Sequence, residues 1–177
     1  MLMPFGSAYT VHNLGVEIQK LPLVYLVSGL CSIFIGPFVG RAADRFGKFK
    51  VFCFGSMFGS VMVLVYTNLG VTPLFMVMFV NALMYLGIFS RMIPSQALMS
   101  AIPDAASRGS FMSISSSMQQ IAGGFASILA GFIVVANADE SLSHFDTLGY
   151  ILVATSLTSL FMIYHIDQIV KKSAAQV

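Results

Sequence analysis

Five stretches of this 177-residue chain are long and apolar enough to cross a lipid bilayer, and nothing else in the sequence restricts the fold as much. A hydrocarbon core of about 30 Å needs about 20 apolar residues at 1.5 Å each. The runs are Leu21–Gly40, Val51–Leu69, Pro73–Ala101, Phe111–Ala136 and Leu148–Ile166. In lipid, a helix satisfies its own backbone hydrogen bonds, so such runs predict helices. The chain is 57% hydrophobic and 9% charged, against about 25% charged residues in an ordinary soluble domain. The fold class that follows is an all-α polytopic membrane helix bundle of about five transmembrane helices. Residues 1–20 are expected to form a helix end plus an extracytoplasmic loop, residues 21–166 the five-helix domain, and residues 167–177 a cytoplasmic tail.

Charge placement supplies an orientation. Arg41, Arg45, Lys48, Lys50, Arg108, Lys171 and Lys172 fall on one side if the five runs alternate in direction. The other side has only Lys20, and its last loop is acidic, with Asp139, Glu140 and Asp146. Basic loops stay in the cytoplasm, so the C-terminus and the loop after the first run are expected there. A net charge of +2 gives no basic stripe for nucleic acid. Cys31 and Cys53 lie inside apolar runs and read as small fillers.

The loop between the first two runs is Gly40-Arg41-Ala42-Ala43-Asp44-Arg45-Phe46-Gly47-Lys48-Phe49-Lys50. Gly40 leaves no side chain where the first helix is expected to end, so another backbone can approach. Gly47 can take a left-handed turn that costs other residues about 1 kcal/mol or more. Asp44 is expected to accept hydrogen bonds from free N–H groups at a helix start. Arg45, Lys48 and Lys50 face anionic head groups or pair with carboxylates.

This pattern resembles the signature loop of the major facilitator superfamily: Gly, three residues, Asp-Arg, one residue, Gly, then a basic cluster. Gly40, Asp44, Arg45, Gly47 and Lys50 fill those places, while Phe49 stands where a second basic residue is usual. The resemblance implies that the loop is a conformational latch in a transporter with alternating access. A second stretch, Arg91-Met92-Ile93-Pro94-Ser95-Gln96 followed by Ile102-Pro103-Asp104, Arg108-Gly109 and Gln119-Gln120-Ile121-Ala122-Gly123-Gly124, is similar to the tenth and eleventh helices of bacterial drug- and sugar-efflux members. Together the resemblance covers about Gly29 to Gly131 and implies the C-terminal six-helix half, in a bacterial inner membrane, moving a small-molecule solute outward with ion or proton coupling. Five runs, with an apolar stub at Met1 to Val11 and a polar loop at His12 to Lys20, lead to the expectation that a helix and an N-terminal half are missing, supplied by the same chain or another.

Arg91 is the one charge well inside a run, about ten residues or about 15 Å from its cytoplasmic end. Burying it is costly, so it should face a polar cavity or a partner. Gln119, Gln120 and Ser115 to Ser117 are the candidate partners, and Arg91, Gln119 and Gln120 the candidate solute pathway. The alternative for Arg91 is snorkelling to the interface. Arg108 is the candidate anchor of the next cytoplasmic loop. Pro94 is expected to kink the third helix. Small residues recur every four positions at Ser28, Ser32, Gly36 and Gly40, at Gly55 and Gly59, and at Gly123, Ser127 and Gly131, which suits close helix packing in lipid. His144 with Asp146 and His165 with Asp167 flank the fifth run on opposite faces, so they cannot share a metal. There is no phosphate loop, metal-ligand cluster or nucleophile–base pair, so neither an enzyme nor a cofactor is expected. The rival to a transporter is a non-transporting helix bundle that binds a partner or lipid, or an inactive gene remnant.

Overall fold

The computed structural model describes residue 2, residues 4–137 and residues 140–174, with side chains to residue 169. Met1 of the stub, Asp139 of the acidic loop and the last three residues of the tail lie outside the described residues, as do the side chains of Lys171 and Lys172.

Five long helices dominate: α1 Leu21–Phe46, α2 Lys48–Thr67, α3 Leu74–Met99, α4 Arg108–Ile133 and α5 Phe145–Ala174. A two-stranded antiparallel pair, β1 Val135–Ala136 and β2 Leu142–Ser143, closes the α4–α5 connection. Two apolar clusters show that the helices alternate in direction. One joins Val24 at the start of α1, Tyr66 at the end of α2, Val77 and Val80 early in α3, Ala130 late in α4, and Phe145 and Leu148 at the start of α5. The other, at the opposite end, joins Phe52 early in α2 to Leu98 and Ile163 late in α3 and α5. Helix α3 is central and packs on α1, α2 and α5.

Among the described residues four segments have the length and composition to cross a membrane: Ile18–Phe46, Lys48–Thr67, Leu74–Met99 and Phe145–Ile169. The sequence reading counted five. Helix α4 has the length, at 26 residues, but Ser113, the run Ser115 to Ser117, Gln119 and Gln120 dilute its apolar character. Large apolar side chains (Phe111, Ile114, Met118, Ile121, Phe125) recur at alternating three- and four-residue steps, and the small and polar residues fill the opposite face. Only Ala130 of α4 is fully buried.

The stretch His12 to Lys20, expected as a polar loop, carries two buried apolar residues. A helical turn Gly6–Ala8 runs into a π-helical turn Tyr9–Asn13, and Leu14 and Val16 then turn into the core. Gly15, at φ +73°, allows that reversal. The Tyr9 ring stacks on Phe145 with centroids 3.9 Å apart, and its hydroxyl donates to the carbonyls of Thr67 (3.1 Å) and Leu69 (2.9 Å). Burial pushes that hydroxyl's pKa up to about 12, so it keeps its proton at any physiological pH. Asn13 imitates a strand partner: its amide donates to the Leu142 carbonyl (3.0 Å), and its Oδ1 accepts from the Leu142 N–H (2.8 Å).

One of the three small-residue rows brings backbones together. A Cβ on Gly59 would lie 3.5 Å from the Gly87 backbone, and one on Gly55 only 2.6 Å from the Ser90 carbonyl carbon. Pro94 has no N–H, so it cannot satisfy the Ser90 carbonyl one turn back. The side-chain-free surface at Gly55 leaves room for that carbonyl. Helix α3 is nevertheless continuous through Pro94, which is fully buried. Gly36, Gly40, Gly123 and Gly131 have nothing within 4 Å of a Cβ position.

Candidate functional site

Two places were singled out by the sequence, and they lie at different depths. The first is the α1–α2 turn. The chain stays helical through Phe46, so Gly40 lies within α1 and does not end it, and no backbone approaches it. The turn itself is Gly47 alone, at φ +99° and ψ 135°, a conformation open only to glycine without strain. Arg41, Asp44, Arg45 and Lys50 are exposed on either side of it. Arg45 lies over the Phe46 ring, 5.5 Å from its centroid. No side chain caps the start of α2, so Asp44 does not hold that helix end. Among the described residues none of these charges makes an ion pair. Replacing Gly47 with alanine is expected to cost about 1–3 kcal/mol through the forced φ, seen as a lower thermal unfolding midpoint; an unchanged midpoint would contradict the turn geometry.

The second place is Arg91. It sits eight residues before Met99, the end of α3, so about 12 Å deep. It is half-buried, and its guanidinium donates to Ser159 Oγ on α5 at 3.1 Å. Ser159 in turn donates to the Ser156 carbonyl at 2.7 Å. The Arg91 charge also lies over the Phe52 ring of α2, 5.9 Å from the centroid. The structure therefore pairs Arg91 with α2 and α5, not with α4. Gln119 donates to Ser115 of its own helix at 3.3 Å, and both Gln119 and Gln120 are exposed. The physical reason is that α4 packs chiefly on α5 near its C-terminal end, which leaves its glutamine-bearing middle away from α3. Arg108 is the exposed first residue of α4, its N–H bonded to the Asp104 carbonyl at 3.0 Å.

Arg91 opens into a partly open cavity of about 280 Å³ bordered by α1, α2, α3, α5 and the N-terminal turn. Tyr25, Tyr66 and Tyr85 line it, with Asn81, Ser60 and Ser156 as further polar groups. Ser60 donates to Ser156 Oγ at 3.2 Å, and Tyr66 shares a 3.0 Å hydrogen bond with Thr10 at the far end. Ile88 and Arg91 also line a second, shallower cavity of about 350 Å³ with Phe52, Ser95 and Ser159.

The sequence pointed to Arg91 but missed these companions. A signal existed: Asn81, Met84, Ile88, Arg91 and Ser95 follow three- and four-residue steps, which put them on one face of α3. Leu152, Ser156, Ser159 and Ile163 do the same on α5. Chemically, the arrangement offers one fixed cation with hydroxyls and aromatic rings around a largely apolar space. It has no carboxylate in contact with that cation among the described residues.

The family model described as Major Facilitator Superfamily matches residues 1–175 of the chain. No curated protein and no solved structure matches the chain.

Proposed function

The chain belongs to the major facilitator superfamily, a family of transporters and integral multi-pass membrane proteins, and from that premise we propose that it moves a small solute by alternating access. In this reading transport runs outward, as in drug and sugar efflux, and is driven by coupling to an ion or proton gradient. The five helices act as the C-terminal half of a two-part transporter, with a second helical half, from the same polypeptide or another, completing the pathway. The membrane is a bacterial inner membrane, with the Gly47 turn and the C-terminus in the cytoplasm. The basic residues of the turn, of Arg108 and of the C-terminal segment favour that orientation.

The observation that carries the reading is Arg91. A guanidinium about 12 Å inside a span is expensive unless it faces a polar cavity or a partner, and a cavity of about 280 Å³ lies beside it. Gln119 and Gln120 enter the pathway in a conformation that brings the polar face of α4 toward α3. Gly40, Asp44, Arg45, Gly47 and Lys50 form the latch that holds the cytoplasmic side closed, with Arg108 anchoring the next loop on the same side.

The latch is tested through Asp44→Asn in a protein whose Cys31 and Cys53 are replaced by serine and whose Ser95 is replaced by cysteine. Ser95 lines the cavity on the turn side of Arg91. Loosening the latch is expected to raise the rate of Ser95→Cys alkylation by a membrane-impermeant maleimide from that side several-fold. Equal rates with and without Asp44→Asn would remove Asp44 from the latch.

A further inference from the structure

Arg91 has five N–H donors, and among the described residues its side chain makes one hydrogen bond, to the neutral hydroxyl of Ser159. No acidic side chain is paired with it among those residues. A half-buried cation at this depth with only a neutral partner remains undercompensated, because a single neutral hydrogen bond replaces little of the hydration it loses. Its position is also fixed: Phe52 sits against one side and Ser159 holds one edge. The remaining donors have the planar fork that matches two oxygens of an oxyanion.

The space beside the guanidinium is unlike that of a polyol site. Val63, Met84, Ile88, Leu152 and Val153 make most of its wall apolar, and three tyrosine rings complete it. Its volume of about 280 Å³ is at the small end of ligand pockets, which run from about 300 Å³ upward. Charge at one end and apolar surface at the other select for a ligand of the same polarity.

Resting on the transporter reading above, we infer that the solute is a small organic oxyanion with an apolar or aromatic body, its acid group held by Arg91 and its body lodged along the adjoining wall of Ile88, Tyr85 and Leu152. The oxyanion can come from two sources, a free solute or the head group of an anionic lipid reaching Arg91 through the shallower cavity. The inference commits to the free solute.

The test uses the purified protein in phosphatidylcholine nanodiscs and two probes of nearly one shape. Benzenesulfonate is charged at every accessible pH, and benzenesulfonamide is neutral near pH 7. Binding of radiolabelled benzenesulfonate is expected to be at least tenfold tighter than that of the sulfonamide. Arg91→Gln is expected to abolish the preference and Arg91→Lys to keep part of it, with unchanged binding of the sulfonamide in both showing that the fold survives. Equal affinity of the unsubstituted protein for the two probes overturns the inference without recourse to any variant. So does a preference that persists in Arg91→Gln. Loss of sulfonate binding when phosphatidylglycerol is added to the nanodisc assigns the site to lipid and overturns the free-solute assignment. Binding does not depend on flux, so the two readings fail separately. Charge-selective binding without flux overturns the transporter reading and leaves the site standing. Flux without charge selectivity overturns the anion alone.

Discussion

Replacing Gly87 with leucine is expected to separate the two central helices and lower stability by about 3 kcal/mol, the upper end of overpacking costs. A Cβ on Gly87 would lie 2.6 Å from the Gly59 Cα and 3.0 Å from its nitrogen. Both are backbone atoms, so no rotamer change relieves the clash and α2 must move away from α3. That movement would also disturb the neighbouring Gly55–Ser90 approach, where the Ser90 carbonyl freed by Pro94 sits against a side-chain-free surface. Gly36→Leu on α1 is the control, since a Cβ there meets nothing within 4 Å. Thermal unfolding in detergent is expected to show a large drop in midpoint for Gly87→Leu and little change for Gly36→Leu. Equal midpoints for the two would contradict the α2–α3 interface.

Arg91→Ala is expected to reduce solute flux at least tenfold while leaving membrane insertion intact. Tenfold corresponds to about 1.4 kcal/mol, a modest fraction of what a charged, partly desolvated contact contributes when one partner is removed. Insertion should be unaffected or improved, because alanine removes the most expensive side chain from α3. Flux is read in proteoliposomes beside a measurement of incorporated protein. The comparison with Arg91→Lys separates charge from geometry. Lysine keeps the charge but lacks the fork, so intermediate flux is expected. Flux equal to that of the unsubstituted protein in Arg91→Ala would exclude Arg91 from the pathway.

The helices were legible because lipid demands length and apolarity, and α1, α2, α3 and α5 have both. Arg91 was legible for the same reason: a charge is conspicuous in an apolar run. Helix α4 has the length of a span but is less apolar than the other four, because a serine- and glutamine-rich face lies opposite its large apolar residues. The pairing of Arg91 with Ser159 was not legible from position alone. Sixty-eight residues separate the two, and choosing α5 over α4 depends on which helices pack together. Periodicity could have narrowed it, since Ser156 and Ser159 fall on the face of α5 that also carries Leu152 and Ile163. The turn shows a different limit. The sequence offered Gly47 as a residue able to take a left-handed turn, and its φ is +99° with ψ 135°. Gly40 looked like a helix end, but helix formation continues through Arg41-Ala42-Ala43-Asp44-Arg45-Phe46, where alanine and arginine are good helix formers. Leu14 and Val16 were assigned to a polar loop because histidine, glutamate and lysine surround them. Burial follows the individual side chain, and both point into the core.

The most direct test of alternating access is the sidedness of Ser156→Cys labelling in proteoliposomes, with Cys31 and Cys53 replaced by serine. Ser156 is 2% exposed and lines the cavity that Arg91 opens into, so a thiol there reports on the pathway and not on the surface. A transporter that opens the cavity to each face in turn predicts that a membrane-impermeant maleimide reaches Ser156→Cys from either side, with Asp44→Asn shifting the ratio toward the side of the Gly47 turn. Labelling from one side only, or from neither, at a rate indifferent to Asp44→Asn, would contradict alternating access and leave a static helix bundle.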